Sequence, residues 1–177
     1  MKKIIALVIL CSLISCNETP KKEEADHKED ITTFYFIRHA EKEKDQGSDP
    51  ELTTTGHERA ASWVNYFMLK NIDHVLSSDF KRTRQTAAPL ATSKKLETEI
   101  YDVHAATGLD FLKKYRGETV VLFGHSNTIN KYTNQLQNDS IYNQLDESDY
   151  DHYFYVRVSD NGKSSGVKEV MDFMEKE

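Results

Sequence analysis

Three short apolar runs in this chain end in polar residues, and the stretches between them have a helical period. Residues 33–38 (Thr-Phe-Tyr-Phe-Ile-Arg) lead into His39, residues 72–77 end in Ser77 and meet Ser78, and residues 119–124 (Thr-Val-Val-Leu-Phe-Gly) lead into His125. Each run is rich in β-branched, aromatic or aliphatic residues and reads as a buried strand. After the first run, Ala60, Trp63, Val64 and Phe67 fall at offsets 0, 3, 4 and 7, one apolar face of a helix. Thr55-Gly56-His57-Glu58 has the spacing of a capping box and is expected to start it. A second helix is expected over 82–92, burying Ala87, Leu90 and Ala91. A strand over 96–101 and a short helix over 109–115 precede the third run. A helix over 128–137 then places Ile129, Tyr132 and Leu136 on one side. Strands over 153–158 and 166–171 follow, the last at an edge. This alternation predicts a three-layer α/β/α sandwich with a mostly parallel central sheet. Such sheets bind ligands beyond the carboxyl ends of their strands. Arg38-His39, Ser77-Ser78 and Gly124-His125 are therefore expected to meet.

Those residue types suit phosphoryl transfer. A phosphate monoester carries nearly two negative charges. Its transfer needs an in-line nucleophile, cations on the oxygens and an acid for the leaving group. His39 has a ring nitrogen available near neutral pH, and a backbone carbonyl on the other nitrogen would fix the useful tautomer. Arg38 and Arg82 supply planar, permanently charged forks that match phosphate oxygens. His125, if protonated, is a third cation, and Ser126 and Asn127 are expected to open a helix whose amides favour anions. Arg84 is expected to face solvent. His57, His74, His104 and His152 read as surface or helix-end residues, and no pair of them has metal-ligand spacing, so neither a metal nor another cofactor is expected. His27 falls in the charged segment before the domain.

Four motifs carry a family resemblance. Arg38-His39-Ala40-Glu41 resembles the Arg-His-Gly motif of the histidine phosphatase superfamily, the phosphoglycerate-mutase-like fold. Residues 52–60 resemble its Leu-Thr-x-x-Gly-x-x-Arg-Ala element, residues 78–87 its Ser-x-x-x-Arg-x-x-x-Thr-Ala element, and Gly124-His125-Ser126 its second histidine motif. The resemblance runs from about 34 to 128 and is nearest to the short phosphohistidine phosphatases. It implies that His39 is the phosphorylated residue and that Arg38, Arg82 and His125 complete the phosphate pocket. It also points to Asp102, after the third strand, as the proton donor. Ala40 replaces the commoner glycine, and Asp45 stands where the family often has asparagine. The expected activity is hydrolysis of phosphate monoesters through a phosphohistidine. The alternatives are a mutase-type phosphotransferase and a non-catalytic binder of phosphorylated ligands. Expected substrates are a phosphorylated small molecule, an envelope glycan or a phosphoprotein.

The chain's beginning reads as targeting rather than fold. Lys2 and Lys3 precede the almost wholly apolar residues 4–14, a stretch too short to span a bilayer and suited to a signal peptide. Leu13-Ile14-Ser15-Cys16 resembles the lipobox of bacterial lipoproteins, which implies cleavage after residue 15 and lipid on Cys16. Residues 16–30 are expected to be a disordered charged tether, since residues 21–30 hold eight charged side chains and no large apolar one. The domain is then 31–177. Cys11 and Cys16 are the only cysteines, so that domain has no disulfide and no cysteine nucleophile. Without Lys2 and Lys3 the formal charge of −6 becomes −8, which disfavours a nucleic-acid partner. The expected location is the cell envelope, lipid-anchored, on the periplasmic or outer-membrane side.

Overall fold

A computed structural model of the chain describes residues 30–173. The signal segment 1–15, Cys16, the tether up to residue 29 and the last four residues lie outside the described residues. The elements run β1 (Ile31–Arg38), α1 (Thr54–Tyr66), β2 (His74–Ser78), α2 (Lys81–Lys94), β3 (Thr98–Tyr101), α3 (Gly108–Lys114), β4 (Thr119–Gly124), α4 (Ile129–Gln137), β5 (His152–Ser159) and β6 (Ser164–Val170). They form one six-stranded sheet in the order β3-β2-β4-β1-β5-β6. The pairings β3-β2, β2-β4 and β4-β1 are parallel, while β5 pairs antiparallel with both β1 and β6. The sheet is thus mixed: parallel where the helical crossovers lie, antiparallel where β5 and β6 follow one another through a short turn.

The two faces of β1 explain the three layers. Phe34 and Phe36 point to one side and pack with Phe111, Ile129, Tyr132 and Leu136 of α3 and α4. Tyr35 and Ile37 point to the other and pack with Trp63, Phe67, Ala87 and Leu90. A strand buried on both faces has no polar face to show, so its run is continuous rather than alternating. No helix among the described residues is long and apolar enough to cross a membrane.

Register brings the expected segments together. Arg38 lies opposite Gly124, and Ser77 opposite Phe123. The residues that follow β1, β2 and β4 therefore leave the sheet side by side. Beyond β1 the chain makes a strap that returns through an isolated bridge between Lys42 and Leu52. Helix α1 starts earlier than the capping-box spacing predicts. Thr53 is the N-cap, and its side chain accepts from the Gly56 amide. Three successive threonines offer three candidate caps. Thr53 wins because its own amide is already held by the Glu41 carbonyl at 2.9 Å. Glu58 then lies too far into the helix to reach back.

Gly56 is where α1 touches this strap. A Cβ there would sit 2.2 Å from the Glu41 carbonyl oxygen. Neither the backbone of Glu41 nor the helix can give without moving residues just after His39. Gly56→Ala is expected to destabilise the fold by about 1–3 kcal/mol, the usual cost of overpacking, read as a lower urea midpoint. An unchanged midpoint would mean that the strap does not press on α1.

Candidate active site

Arg38, His39 and His125 sit where strands stop, and Arg82 opens the helix that follows β2. His39 follows β1, and its amide donates to the Gly124 carbonyl at 2.9 Å, which locks the end of β1 to the end of β4. Its ring is 3% exposed, and Nδ1 lies 2.8 Å from the Ala40 carbonyl oxygen. A carbonyl only accepts, so Nδ1 carries the proton and Nε2 keeps its lone pair. The described residues give Nε2 no hydrogen-bond partner. Burial, with the charges of Arg38, Arg82 and His125, outweighs the Ala40 bond and pulls the His39 pKa down to about 2. The ring is neutral at any ordinary pH.

His125 follows β4, its ring centroid 5.6 Å from that of His39. Nε2 lies 3.0 Å from Ser78 Oγ, and Nδ1 lies 3.5 Å from Arg82 Nη2. An arginine only donates, so Nδ1 is the bare nitrogen and Nε2–H faces Ser78. The expectation of a third cation here is not met in the free site. Burial, Arg82, Arg38 and Lys42 together depress the His125 pKa to about 4, against a weaker opposing pull from Glu147. Phe80 closes the outer side, edge-on to His125 at 5.0 Å.

Arg82 lies in the first turn of α2 and is held from outside. Asp49 Oδ1 accepts from the Lys81 amide at 2.9 Å and lies 3.7 Å from Arg82 Nη1. That second separation is an ion pair too long for a hydrogen bond, so Arg82 Nε and Nη1 are buried without an acceptor. Burial lowers the Arg82 pKa, which Asp49 opposes and Arg38 reinforces. Thr86, one turn on, joins the helix to the strap that follows His39. Its Oγ1 accepts from the Ala40 amide at 3.0 Å and donates to the Arg82 carbonyl at 2.7 Å. The spacing of Ser78, at the end of β2, and of Arg82 and Thr86, one turn apart on α2, thus puts three contacts at one strand–helix junction.

Arg38 is the most enclosed of the set, at 2% exposure. Its Nη1 donates to the carbonyls of Asp146, Glu147 and Asp149 at 2.8, 3.0 and 3.0 Å, and Nη2 donates to Glu147 Oε2 at 3.0 Å. Tyr150 stacks on it, with Cζ 4.3 Å from the ring centroid. Glu147 was not foreseen from sequence. Its other oxygen accepts from Ser126 Oγ at 2.8 Å, and its side chain remains 67% exposed. No motif marks it, because it reaches the site on an irregular segment after α4 whose path depends on Arg38.

Asp102 is placed differently from its expected role. It is exposed and begins a turn, accepting from the His104 amide at 2.9 Å. It lines a neighbouring hollow with Asp79, Phe80 and Ile100, not the cavity that holds His39. That cavity has a volume of about 520 Å³, and its wall includes His39, Lys42, Arg82, His125 and Glu147. His104, read from sequence as a surface residue, stands on the same wall. Ser126 and Asn127 form a turn ahead of α4 rather than its first residues. The His125 carbonyl accepts from the amides of Thr128 and Ile129 at 3.0 and 3.2 Å. Arg84 pairs with Asp79 at the surface. Arg59, from the 52–60 element, is taken up by Glu41 and Asp151, and Leu52 packs with Ala40 and Ala60. That element builds the floor beneath the strap that follows His39.

Residues 34–103 match the family model of the histidine phosphatase superfamily (branch 1). The superfamily resemblance carried by the motifs is thereby shown. The matched stretch holds three of the four motifs; His125 lies beyond it and joins them in space. No curated protein matches the chain in sequence. Among solved structures, the chain is similar to a mycobacterial glucosyl-3-phosphoglycerate phosphatase at 13% identity, with a TM-score of 0.62 over 80% of this chain and 99% of that one. It is similar to the protein histidine phosphatase SixA, solved with tungstate, at 18% identity and TM-score 0.61, over 78% of this chain and 96% of that one. It is similar also to phosphoserine phosphatase from Entamoeba histolytica, solved with 3-phosphoglyceric acid, at 15% identity and TM-score 0.60, over 81% of this chain and 99% of that one. These likenesses are of fold, and the fold is phosphoglycerate-mutase-like.

Two neutral buried histidines make stability depend on pH. The ordinary histidine value is 6.5, against about 2 for His39 and about 4 for His125 in the fold. Below 6.5 the unfolded chain binds more protons than the folded one, so stability is full above that pH and falls as the pH drops through the window. The urea midpoint is expected to fall between pH 6.5 and 4, and to fall less steeply in His125→Gln. Equal slopes in the two proteins would remove His125 from this account.

Proposed function

We propose that this chain hydrolyses phosphate monoesters through a phosphohistidine on Nε2 of His39. One observation carries the reading. A neutral imidazole, fixed by the Ala40 carbonyl so that Nε2 is bare, faces the same cavity as a guanidinium with two unpaired buried donors. The first step forms an N–P bond from the Nε2 lone pair and breaks the bond from phosphorus to the leaving oxygen, which takes a proton. In the second step water attacks phosphorus, the N–P bond breaks, and inorganic phosphate leaves with the ring restored. Arg82 holds the oxygens through both steps. A developing negative charge meets a permanent cation already held on the cavity wall, so little reorganisation is required.

The superfamily match over 34–103 supports this reading. So does the fold shared with phosphatases, one of them solved with tungstate, a tetrahedral oxyanion. The proton donor in this reading is a carboxyl group or water at the cavity. Glu147 stands on the cavity wall, and Asp102 lies in the next hollow. A phosphorylated small molecule or envelope glycan fits an exported enzyme, and the proposal includes a lipid anchor at Cys16. Labelled palmitate incorporated by the whole chain and lost in Cys16→Ser is the outcome expected of that anchor. Label retained in the variant would count against it.

His39→Ala is expected to reduce hydrolysis of an aryl phosphate to background. Wild-type protein quenched during turnover should carry an acid-labile, alkali-stable phosphate. Alcohol and inorganic phosphate released in equal amounts would mark a hydrolase rather than a phosphotransferase. Arg82→Ala should lower kcat/KM by on the order of 10³-fold, as for other arginines that meet transferring phosphoryl groups. Wild-type rates in His39→Ala would refute the nucleophile.

A further inference from the structure

The cavity is larger than a phosphoryl group, and Lys131 adds a further cation to its wall. At about 520 Å³ it falls among pockets that enclose whole small molecules. Its inner end is electrostatically occupied. Arg38, Arg82 and Lys42 are the cations that chiefly depress the two histidines, and Glu147 neutralises Arg38. Lys131 belongs to neither group. It lies in the first turn of α4 and is absent from the charges that chiefly act on His39 or His125. It lines the catalytic cavity and also a second hollow of about 500 Å³ between α3 and α4, so it stands at their common border. Lys81, Lys114 and Lys168 are paired with carboxylates, whereas, among the described residues, Lys42 on the same cavity wall is not. Lys131 has no ion-pair partner among the described residues. The acid across the second hollow, Asp139, already accepts from the Ser140 amide at 2.7 Å.

We propose that Lys131 is a specificity residue that reads a second negative charge on the substrate. The favoured substrates are phosphate monoesters that also carry a carboxylate or another phosphate, away from the phosphoryl group that reacts. The inference rests on the phosphatase reading above. The transferred dianion is matched by Arg82 and Lys42 at the inner end. A second anion on the same molecule reaches outward along α4, where an unpaired ammonium and the amino-terminal end of the helix both favour it. In a chain of formal charge −6, an ammonium without an ion-pair partner on the wall of such a cavity draws doubly anionic esters in preference to neutral-tailed ones.

The test uses three aryl phosphates that differ only at the para position, which bears a carboxamide, a carboxylate or a phosphonate. Wild-type protein is expected to favour the two anionic esters over the carboxamide by about tenfold in kcat/KM, chiefly through KM. Lys131→Gln should bring that ratio to about one, and Lys131→Arg should keep most of it. A preference for carboxylate or for phosphonate identifies the group read, and either supports the proposal. A wild-type ratio near one, or a ratio that Lys131→Gln leaves intact, overturns it. If no ester is turned over, the phosphatase reading fails by itself. The subsite is then judged by calorimetric binding of the same three esters to the wild type and Lys131→Gln, with the same ratio as criterion.

Discussion

A guanidinium buried at the end of a central strand is the constraint on which the rest of this site depends. Arg38 is almost fully enclosed, and an unpaired charge in that position would cost several kcal/mol. Its cost is offset by three carbonyls, one carboxylate and one aromatic face, all from residues 146–150. Those residues have no helix or strand of their own. The arginine therefore gives an irregular segment its shape, and that segment in turn closes one side of the cavity with Glu147. Fold and site are joined through this side chain: without it β1 would still form, but the wall opposite Arg82 would not be specified.

The same enclosure sets the charge of the histidines. Burial first, and then the charges of two arginines, hold both rings neutral. For His39 this is what a nucleophile needs, since a protonated ring has no lone pair to give. His125 is a reserve rather than a standing cation. A dianion brought between the rings would reverse the local field and favour its protonation. The pocket is thus less positive when empty than a count of its basic residues suggests.

Much of this was legible from residue order. Continuous apolar runs gave the strands because a parallel sheet covered on both faces hides every side chain, and the helix-period stretches between them gave the layers. His39, Arg82 and His125 could be brought together on paper because parallel strands end on one side. Sequence was less informative where backbone competition decided the outcome. Thr53 took the cap from Thr55 because the Glu41 carbonyl held it. The turn from His125 to Thr128 delayed α4 because the His125 carbonyl was satisfied twice. It said nothing of Glu147, whose position depends on a partner 109 residues away. Asp102 was chosen by its place after a strand, and one of its oxygens accepts from the His104 amide in the turn it begins.

The two arginines of the motifs are consequently not equivalent, although both suit a phosphate equally well as sequence. Arg38 Nη1 donates to three carbonyls and one N–H of Nη2 to Glu147, while Nε has no acceptor among the described residues. A phosphate approaching the N–H that Glu147 holds would first have to displace that carboxylate, trading one anion for another at little net gain. Arg82 presents the opposite case. Asp49 steers it by charge at 3.7 Å without taking a hydrogen bond, so Nε and Nη1 remain buried and unmet. Arg82 thus keeps donors that the protein's own acceptors do not take, while the fork of Arg38 is spent mainly on fixing residues 146–149 and, through Glu147, one wall of the cavity.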